Sequence, residues 1–130
     1  MKKIITLLLV ALFALTLASC APKDPADAKS SLEGKGYSVV VDGTIIPAGL
    51  SILGAEGAKS AITASKKINE GKDDEATITV VAIYFDTKDH ATSSRKAIED
   101  YAKNNGEKSE IKQSGQWLYY GDAQAMKDFA

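Results

Sequence analysis

The chain has 130 residues, of which 16 are basic, 17 are acidic and one is a cysteine. The balanced charge leaves no basic stripe for nucleic-acid binding, and one cysteine excludes an internal disulfide or a thiolate metal cluster. The length fits one small domain with a short additional segment.

The first segment, residues 1–19, has the pattern of a secretory signal peptide. Two lysines precede an apolar run over residues 4–18 that only two threonines interrupt. This order corresponds to the charged and apolar regions of an export signal. A membrane-spanning helix needs about 20 apolar residues, and the next residues, Ala21 to Pro25, break a helix and carry charge. We therefore predict export followed by cleavage.

The segment ends in the sequence Leu17-Ala18-Ser19-Cys20. An aliphatic residue, two small residues and a cysteine resemble the lipobox of bacterial lipoproteins. The resemblance implies that a diacylglycerol is attached to the Cys20 thiol and that a peptidase cuts before Cys20. Two acyl chains hold a protein stably on a membrane. We expect an extracytoplasmic protein anchored to the cell membrane, or to the outer membrane if the source has one.

Residues 20–25 are predicted to be a lipidated tether, and residues 26–130 a single domain. The first 19 residues hold two of the 16 basic residues and no acidic residue, so the remainder has a net charge of −3. This charge does not favour membrane attachment through a polybasic patch. The lipid on Cys20 is therefore the expected link to the membrane.

The first half of the domain shows one helix and one strand. An acidic residue followed by proline, Asp24-Pro25, marks the start of a helix over residues 26–33. Alternating Tyr and Val side chains predict a strand over residues 37–42. Residues 43–57 are interrupted by glycines and a proline, and we expect an irregular, partly buried crossing with room for a short helical turn.

A hairpin and a long helix follow. Residues 58–68 suit either a helix or a strand, and a strand is favoured because the polar turn at 69–75 leads into another strand. Residues 77–85 are apolar on both faces, which is typical of a central strand. Asp86-Thr87 can cap a helix that runs to Asn105 and places a stripe of apolar residues on its inner face.

The last segment is predicted to be a second hairpin, 109–113 with 116–120, and a terminal helix capped by Asp122. The order is then α-β-loop-β-β-α-β-β-α. This order predicts an α+β fold with a mainly antiparallel sheet of about four to five strands and two to three helices packed on one face.

Two further motifs resemble small uncharacterised bacterial lipoproteins. They are Ile83 to Asp86 before an alanine-rich helix, and Gly115 to Asp122 before a terminal amphipathic helix. Together with Leu32 and Gly36-Tyr37, the resemblance covers most of residues 26–129. It implies the same order of elements, and the group brings no established catalytic residues with it.

Few residues suggest catalysis or metal binding. His90 is the only histidine and lies in the first turn of a predicted helix, where an incidental role is favoured over a ligand or general base. Asp73-Asp74-Glu75 could attract calcium, but the spacing of a calcium loop is absent and a solvated turn is favoured. No serine lies in a nucleophile motif, and no glycine cluster matches a phosphate loop. We predict no catalytic residue, no metal and no cofactor.

Aromatic residues offer the one candidate ligand surface. Trp117 and Tyr119 alternate on one face of a predicted strand, and Tyr84 lies on a strand that could neighbour it. Such rings can bind carbohydrate or peptide, but they equally fill a sheet–helix core, and the core is favoured in a chain of this size.

Two functional hypotheses remain open. The favoured one is a non-catalytic binding or protein-interaction module whose partner is an envelope protein or a cell-wall component. The alternative is a small envelope-associated enzyme or enzyme accessory that uses carboxylates brought together by the fold.

Overall fold

The computed structural model describes residues 21–106 and 110–130. The predicted signal peptide, Cys20 and the first residue of the second predicted hairpin, Ser109, lie outside the described residues. Five strands form one antiparallel sheet in the order β1-β2-β3-β5-β4, which confirms the predicted α+β class. The strands are β1 (Ser38–Asp42), β2 (Ala58–Ile68), β3 (Ala76–Phe85), β4 (Lys112–Ser114) and β5 (Trp117–Gly121).

Strands β2 and β3 form the long hairpin at the centre of the sheet. The segment over residues 58–68 is a strand, as favoured from the sequence, and its register with β3 runs from Ala58–Phe85 to Ile68–Ala76. The side chains of β3 alternate between two apolar clusters: Val80 and Ala82 face one side, and Ile83 and Phe85 face the other. Burial on both faces identifies β3 as a central strand.

The described residues form five helices, which cover both faces of this sheet, so the prediction of two to three helices on one face is wrong. Helices α1 (Pro25–Gly34) and α5 (Ala123–Phe129) pack on the face of Ile62 and Trp117. Helices α2 (Ile45–Ile52), α3 (Lys88–Ser93) and α4 (Arg95–Asn104) pack on the face of Ile83 and Leu118. The physical reason is that neighbouring apolar residues of β3 and β5 point in opposite directions, so each face needs its own cover.

Helix α2 arises within the segment predicted to be an irregular crossing. The carboxylate of Asp42 accepts hydrogen bonds from the backbone N–H groups of Thr44, Ile45 and Ile46, at 2.8, 2.9 and 3.1 Å. These donors are among those that a helix start leaves unsatisfied. Asp42 thus stabilises a helix of two turns, although Pro47 and Gly49 disfavour one.

The helix predicted from residue 88 to residue 105 is divided at Ser94. Ser94 is the C-cap residue of α3, and the Ser94 hydroxyl accepts a hydrogen bond of 3.1 Å from the backbone N–H of Glu56. Ser94 is buried, so this contact joins the end of the α2 segment to the helix pair. The predicted inner stripe is confirmed, since Ala91, Ile98 and Ala102 are all buried.

Candidate functional site

The three aromatic residues singled out in the sequence lie together on one face of the sheet, but they are not an exposed platform. Trp117 is 1% exposed and Tyr119 is 7% exposed, and both belong to the core between the sheet and α5. The rings of Tyr84 and Phe129 lie 4.8 and 5.0 Å from that of Trp117. Trp117 and Tyr119 therefore serve the core, as the sequence favoured, and their rings do not form the alternative, an exposed surface for stacking.

The predicted tether is docked against this aromatic cluster. The indole Nε1 of Trp117 donates a hydrogen bond of 2.8 Å to the carbonyl oxygen of Pro22, and Ala21 packs against the same core. Helix α1 begins only three residues later, and the Asp24 carboxylate caps it by accepting from Asp27 N–H at 2.8 Å. The described part of the tether is thus fixed to the fold.

A small cavity of about 360 Å³ separates the tether from the loop between β4 and β5. Gln116 holds this loop in place because its side-chain amide donates to the carbonyl oxygens of Phe85 and Asp86, at 2.9 and 3.0 Å. Tyr84 and Trp117 of the sheet line this cavity together with Ala21, Pro22 and Lys23 of the tether. The tether therefore forms one side of this cavity.

A larger cavity of about 630 Å³ lies beside α5. Tyr119 and Met126 give it an apolar floor, and burial raises the pKa of the Tyr119 phenol. Charged side chains of both signs surround the floor, namely Glu110, Lys112, Asp122 and Lys127. An apolar floor with a polar rim is the usual character of a ligand-binding depression.

One rim residue, Asp122, has a structural role. Its Oδ2 accepts a hydrogen bond of 2.8 Å from the backbone N–H of Thr79, and its own N–H donates to the carbonyl of Thr79. Asp122 is the N-cap residue of α5, as predicted from the sequence, but its carboxylate makes no capping bond to the helix. It instead joins the start of α5 to strand β3.

The other end of α5 is fastened by a tyrosine–carboxylate pair. The Tyr37 hydroxyl donates to Asp128 Oδ2 at 2.6 Å. Burial and then this carboxylate raise the pKa of Tyr37. Burial would raise the pKa of Asp128, but the bonds from Tyr37 and Gln124 and the charges of nearby lysines outweigh it, so that this pKa is lowered. The pair fixes α5 against the sheet.

His90 lies in a cluster with two carboxylates that the sequence did not associate with it. Its Nδ1 is 2.6 Å from Asp86 Oδ1, and its Nε2 is 3.8 Å from Glu56 Oε2. The hydrogen bond to Asp86 is the main cause that raises the pKa of His90, and the same bond lowers the pKa of Asp86. Asp86 and His90 are four residues apart at the start of a helix, and this spacing could have predicted their contact from the sequence. The N-cap of the helix is Thr87.

Gly57 is fitted against this cluster. Its φ angle is +77°, and a Cβ there would lie 2.2 Å from Asp86 Oδ1. The Gly57 carbonyl accepts from Asp86 N–H at 2.8 Å. The two carboxylates approach opposite nitrogens of one imidazole ring, so they cannot share a single ion with it. Among the described residues, no set of three or more His, Cys, Asp or Glu side chains is arranged to hold a metal ion.

The acidic residues Asp73, Asp74 and Glu75 lie in the exposed turn between β2 and β3. Asn69 Nδ2 donates to Asp74 Oδ2 at 3.0 Å, and Gly71 N–H donates to Glu75 Oε2 at 3.3 Å. The carboxylates of Asp74 and Glu75 therefore organise the turn itself.

No protein-family model, curated protein or solved structure matches this chain. None of the described helices is both long enough and apolar enough to cross a bilayer.

Proposed function

We propose that this chain is a lipid-anchored extracytoplasmic protein whose domain is a non-catalytic binding module. The observation that carries the anchor is the sequence Leu17-Ala18-Ser19-Cys20 at the end of an apolar segment that follows two lysines. A thioether to diacylglycerol uses the only thiol of the chain. The lipid would be embedded in the cell membrane, or in the outer membrane if the source has one.

The position of the tether supports this proposal. Ala21 and Pro22 follow Cys20 directly and lie at the surface of the domain, against Trp117. The Cα atoms of consecutive residues are about 3.8 Å apart. Because Cys20 directly precedes Ala21, a lipid on Cys20 would be attached close to the surface of the domain.

The cavity beside α5 supports a binding role. Its floor of Tyr119 and Met126 suits an apolar side chain, and Met side chains adapt their shape to a ligand. The rim carries two lysines, Lys112 and Lys127, and two acids, Glu110 and Asp122, so the site suits a peptide with charges of both signs. We infer that the ligand is a segment of an envelope protein or the peptide part of a cell-wall component.

The Asp86–His90 pair is the observation that favours the alternative, an enzyme using carboxylates. A carboxylate that orients an imidazole is a component of general-base catalysis. Here, however, the second nitrogen of His90 faces Glu56, and the nearby Ser94 hydroxyl is bonded to the Glu56 backbone. The pair joins the loop at Gly57 to α3, and we therefore assign it a structural role.

Cys20→Ser tests the anchor. The wild-type chain and the variant are expressed in a bacterial host, and membrane and soluble fractions are compared together with intact masses. We expect wild-type protein in the membrane with the added mass of the lipid, and the variant as an unlipidated precursor that is released by a wash of the membranes. Equal membrane attachment without added mass would contradict the proposal.

A photo-crosslinking residue at Lys127 tests the binding role. Lys127 lies on the cavity rim, and the matched control position is Lys103, which is exposed near the end of α4 on the opposite face of the sheet. After irradiation of cells, we expect a discrete adduct from position 127 and none from 103. Adducts that are absent at both positions, or the same at both, would contradict a ligand site beside α5.

A further inference from the structure

The docked tether and helix α2 lie at the same end of the sheet. One row of paired residues crosses the strands through Asp42, Ala61, Ile83 and Leu118. The next residues beyond this row include Tyr84 and Trp117, which line the cavity beside the tether. The segment that contains α2 leaves the sheet at Asp42 and rejoins it at Ala58, so α2 is attached at this same end. We call this end, which carries Tyr84, Trp117 and the α2 segment, the tether end.

Helix α2 exposes large apolar side chains there. Ile45 is 78% exposed, Ile52 is 87% exposed and Leu53, just after the helix, is 44% exposed. Ile45 and Ile52 are seven residues apart, so they lie on one face of the helix at a separation of about 10 Å. The opposite face already packs on the core through Leu50 and Ile46. A helix that is apolar on both sides is typical of one that is covered on both sides.

We propose that the outer face of α2 rests on the membrane that holds the lipid anchor. This inference depends on the proposed lipidation of Cys20. A lipid attached one residue before Ala21, together with the Trp117–Pro22 bond, would bring the tether end to the bilayer surface. Ile45, Ile52 and Leu53 would enter the boundary between headgroups and acyl chains, where apolar helix faces are buried by about 5–10 Å.

The opposite end of the sheet carries an acidic turn. The turn at residues 69–75 contains four acidic residues and one lysine. Strand β3 has ten residues, so this turn lies roughly 30 Å from the tether end. An anionic membrane surface attracts cations and repels acidic segments. In the proposed orientation, α2 faces the bilayer and this acidic turn points away from it.

Site-specific fluorescence quenching tests this orientation. The full chain is produced in a bacterial host, purified with its lipid, and placed in vesicles of phosphatidylethanolamine and phosphatidylglycerol. An environment-sensitive fluorophore is attached to Ile52→Cys or, as the matched control, to Asp73→Cys. Because the lipid occupies the Cys20 thiol, each introduced cysteine is the only free thiol. Nitroxide-labelled lipids then report how close each position is to the bilayer.

We expect severalfold stronger quenching at position 52 than at position 73, with unchanged melting of both variants. Equal quenching in protein of confirmed lipid mass would overturn the orientation and leave the anchor intact. Disulfide-linked dimers formed by Ile52→Cys on the vesicles would assign the face to a second copy of the chain and would also overturn it. Protein that carries no lipid by mass would remove the anchor and this inference together.

Discussion

Trp117 and Pro22 are 95 residues apart in the chain and are joined by a hydrogen bond of 2.8 Å between the indole Nε1 and the prolyl carbonyl oxygen. The indole is buried between the rings of Tyr84 and Phe129. A buried donor that loses its partner is costly, so the bond fixes both the indole and the tether. The described part of the tether, which directly follows Cys20 in the chain, is therefore part of the folded structure.

Trp117→Phe should release the tether. The substitution removes the donor and part of the ring, and we expect the free energy of unfolding to fall by about 1–3 kcal/mol. Urea unfolding measures this change, and the rate of tryptic cleavage after Lys23 should rise. Val40→Ala, at an exposed edge-strand position, is the control and should alter neither quantity. Unchanged cleavage after Lys23 in Trp117→Phe would show that the bond does not hold the tether.

Gly57→Ala should be more destabilising than Gly54→Ala. Both glycines have positive φ angles, +77° and +99°, so both substitutions introduce left-handed strain of about 1–2 kcal/mol. A Cβ at Gly54 meets open space, whereas one at Gly57 lies 2.2 Å from Asp86 Oδ1. We expect a further loss of about 1–3 kcal/mol for Gly57→Ala. Equal unfolding free energies for the two variants would contradict the close approach at the His90 cluster.

The Asp86–His90 bond should make stability depend on pH in a defined window. The bond raises the pKa of His90 above its ordinary 6.5, so its contribution is complete below that value and is lost as the pH rises through the raised pKa. The same bond lowers the pKa of Asp86 below its ordinary 3.8, so its contribution is present above that value and is lost as the pH falls through the lowered pKa. The bond should stabilise most between these two ordinary values.

His90→Gln measures this effect. We expect the urea midpoint of the variant to lie below that of the wild type at about pH 5, and the difference to shrink toward pH 9. Because His90 is the only histidine, its imidazole resonance also gives its pKa directly by NMR. A midpoint difference that is constant over this range, or a pKa below 6.5, would contradict the bond to Asp86.

The parts of the fold that could be predicted from sequence are those with local signals. Asp24-Pro25 starts α1, the run over residues 77–85 that is apolar on both faces gives the central strand, and Ala125, Met126 and Phe129 form the inner face of the last helix. Each of these features depends on residues close together in the chain. The pattern of residues 58–68 fits a helix as well as a strand, so the prediction of a strand there depended on the turn that follows it.

The features that were not predicted depend on contacts between residues distant in the chain, or on the hydrogen bonds of one polar side chain. Helix α2 needs the Asp42 carboxylate to bond three N–H groups, against the preferences of Pro47 and Gly49. The break at Ser94 depends on Glu56, 38 residues away. The cluster around His90 likewise needs the Glu56–Gly57 loop to return to α3. The two apolar faces of β3 both need a cover, but the local sequence pattern does not assign each helix to one face or the other.

Ile83→Asp tests the core that supports all of these features. Ile83 is fully buried on the face of β3 covered by α2, α3 and α4. An unpaired carboxylate there loses its hydration and gains no partner, which costs at least about 4 kcal/mol. Since small domains are stable by only about 5–15 kcal/mol, we expect loss of the cooperative thermal transition or a large fall in Tm by circular dichroism. Val40→Asp introduces the same side chain on edge strand β1, at a position that is 66% exposed, and should leave the transition nearly unchanged. Similar melting of the two variants would mean that Ile83 is not in the core and that the two-faced burial of β3 is wrong.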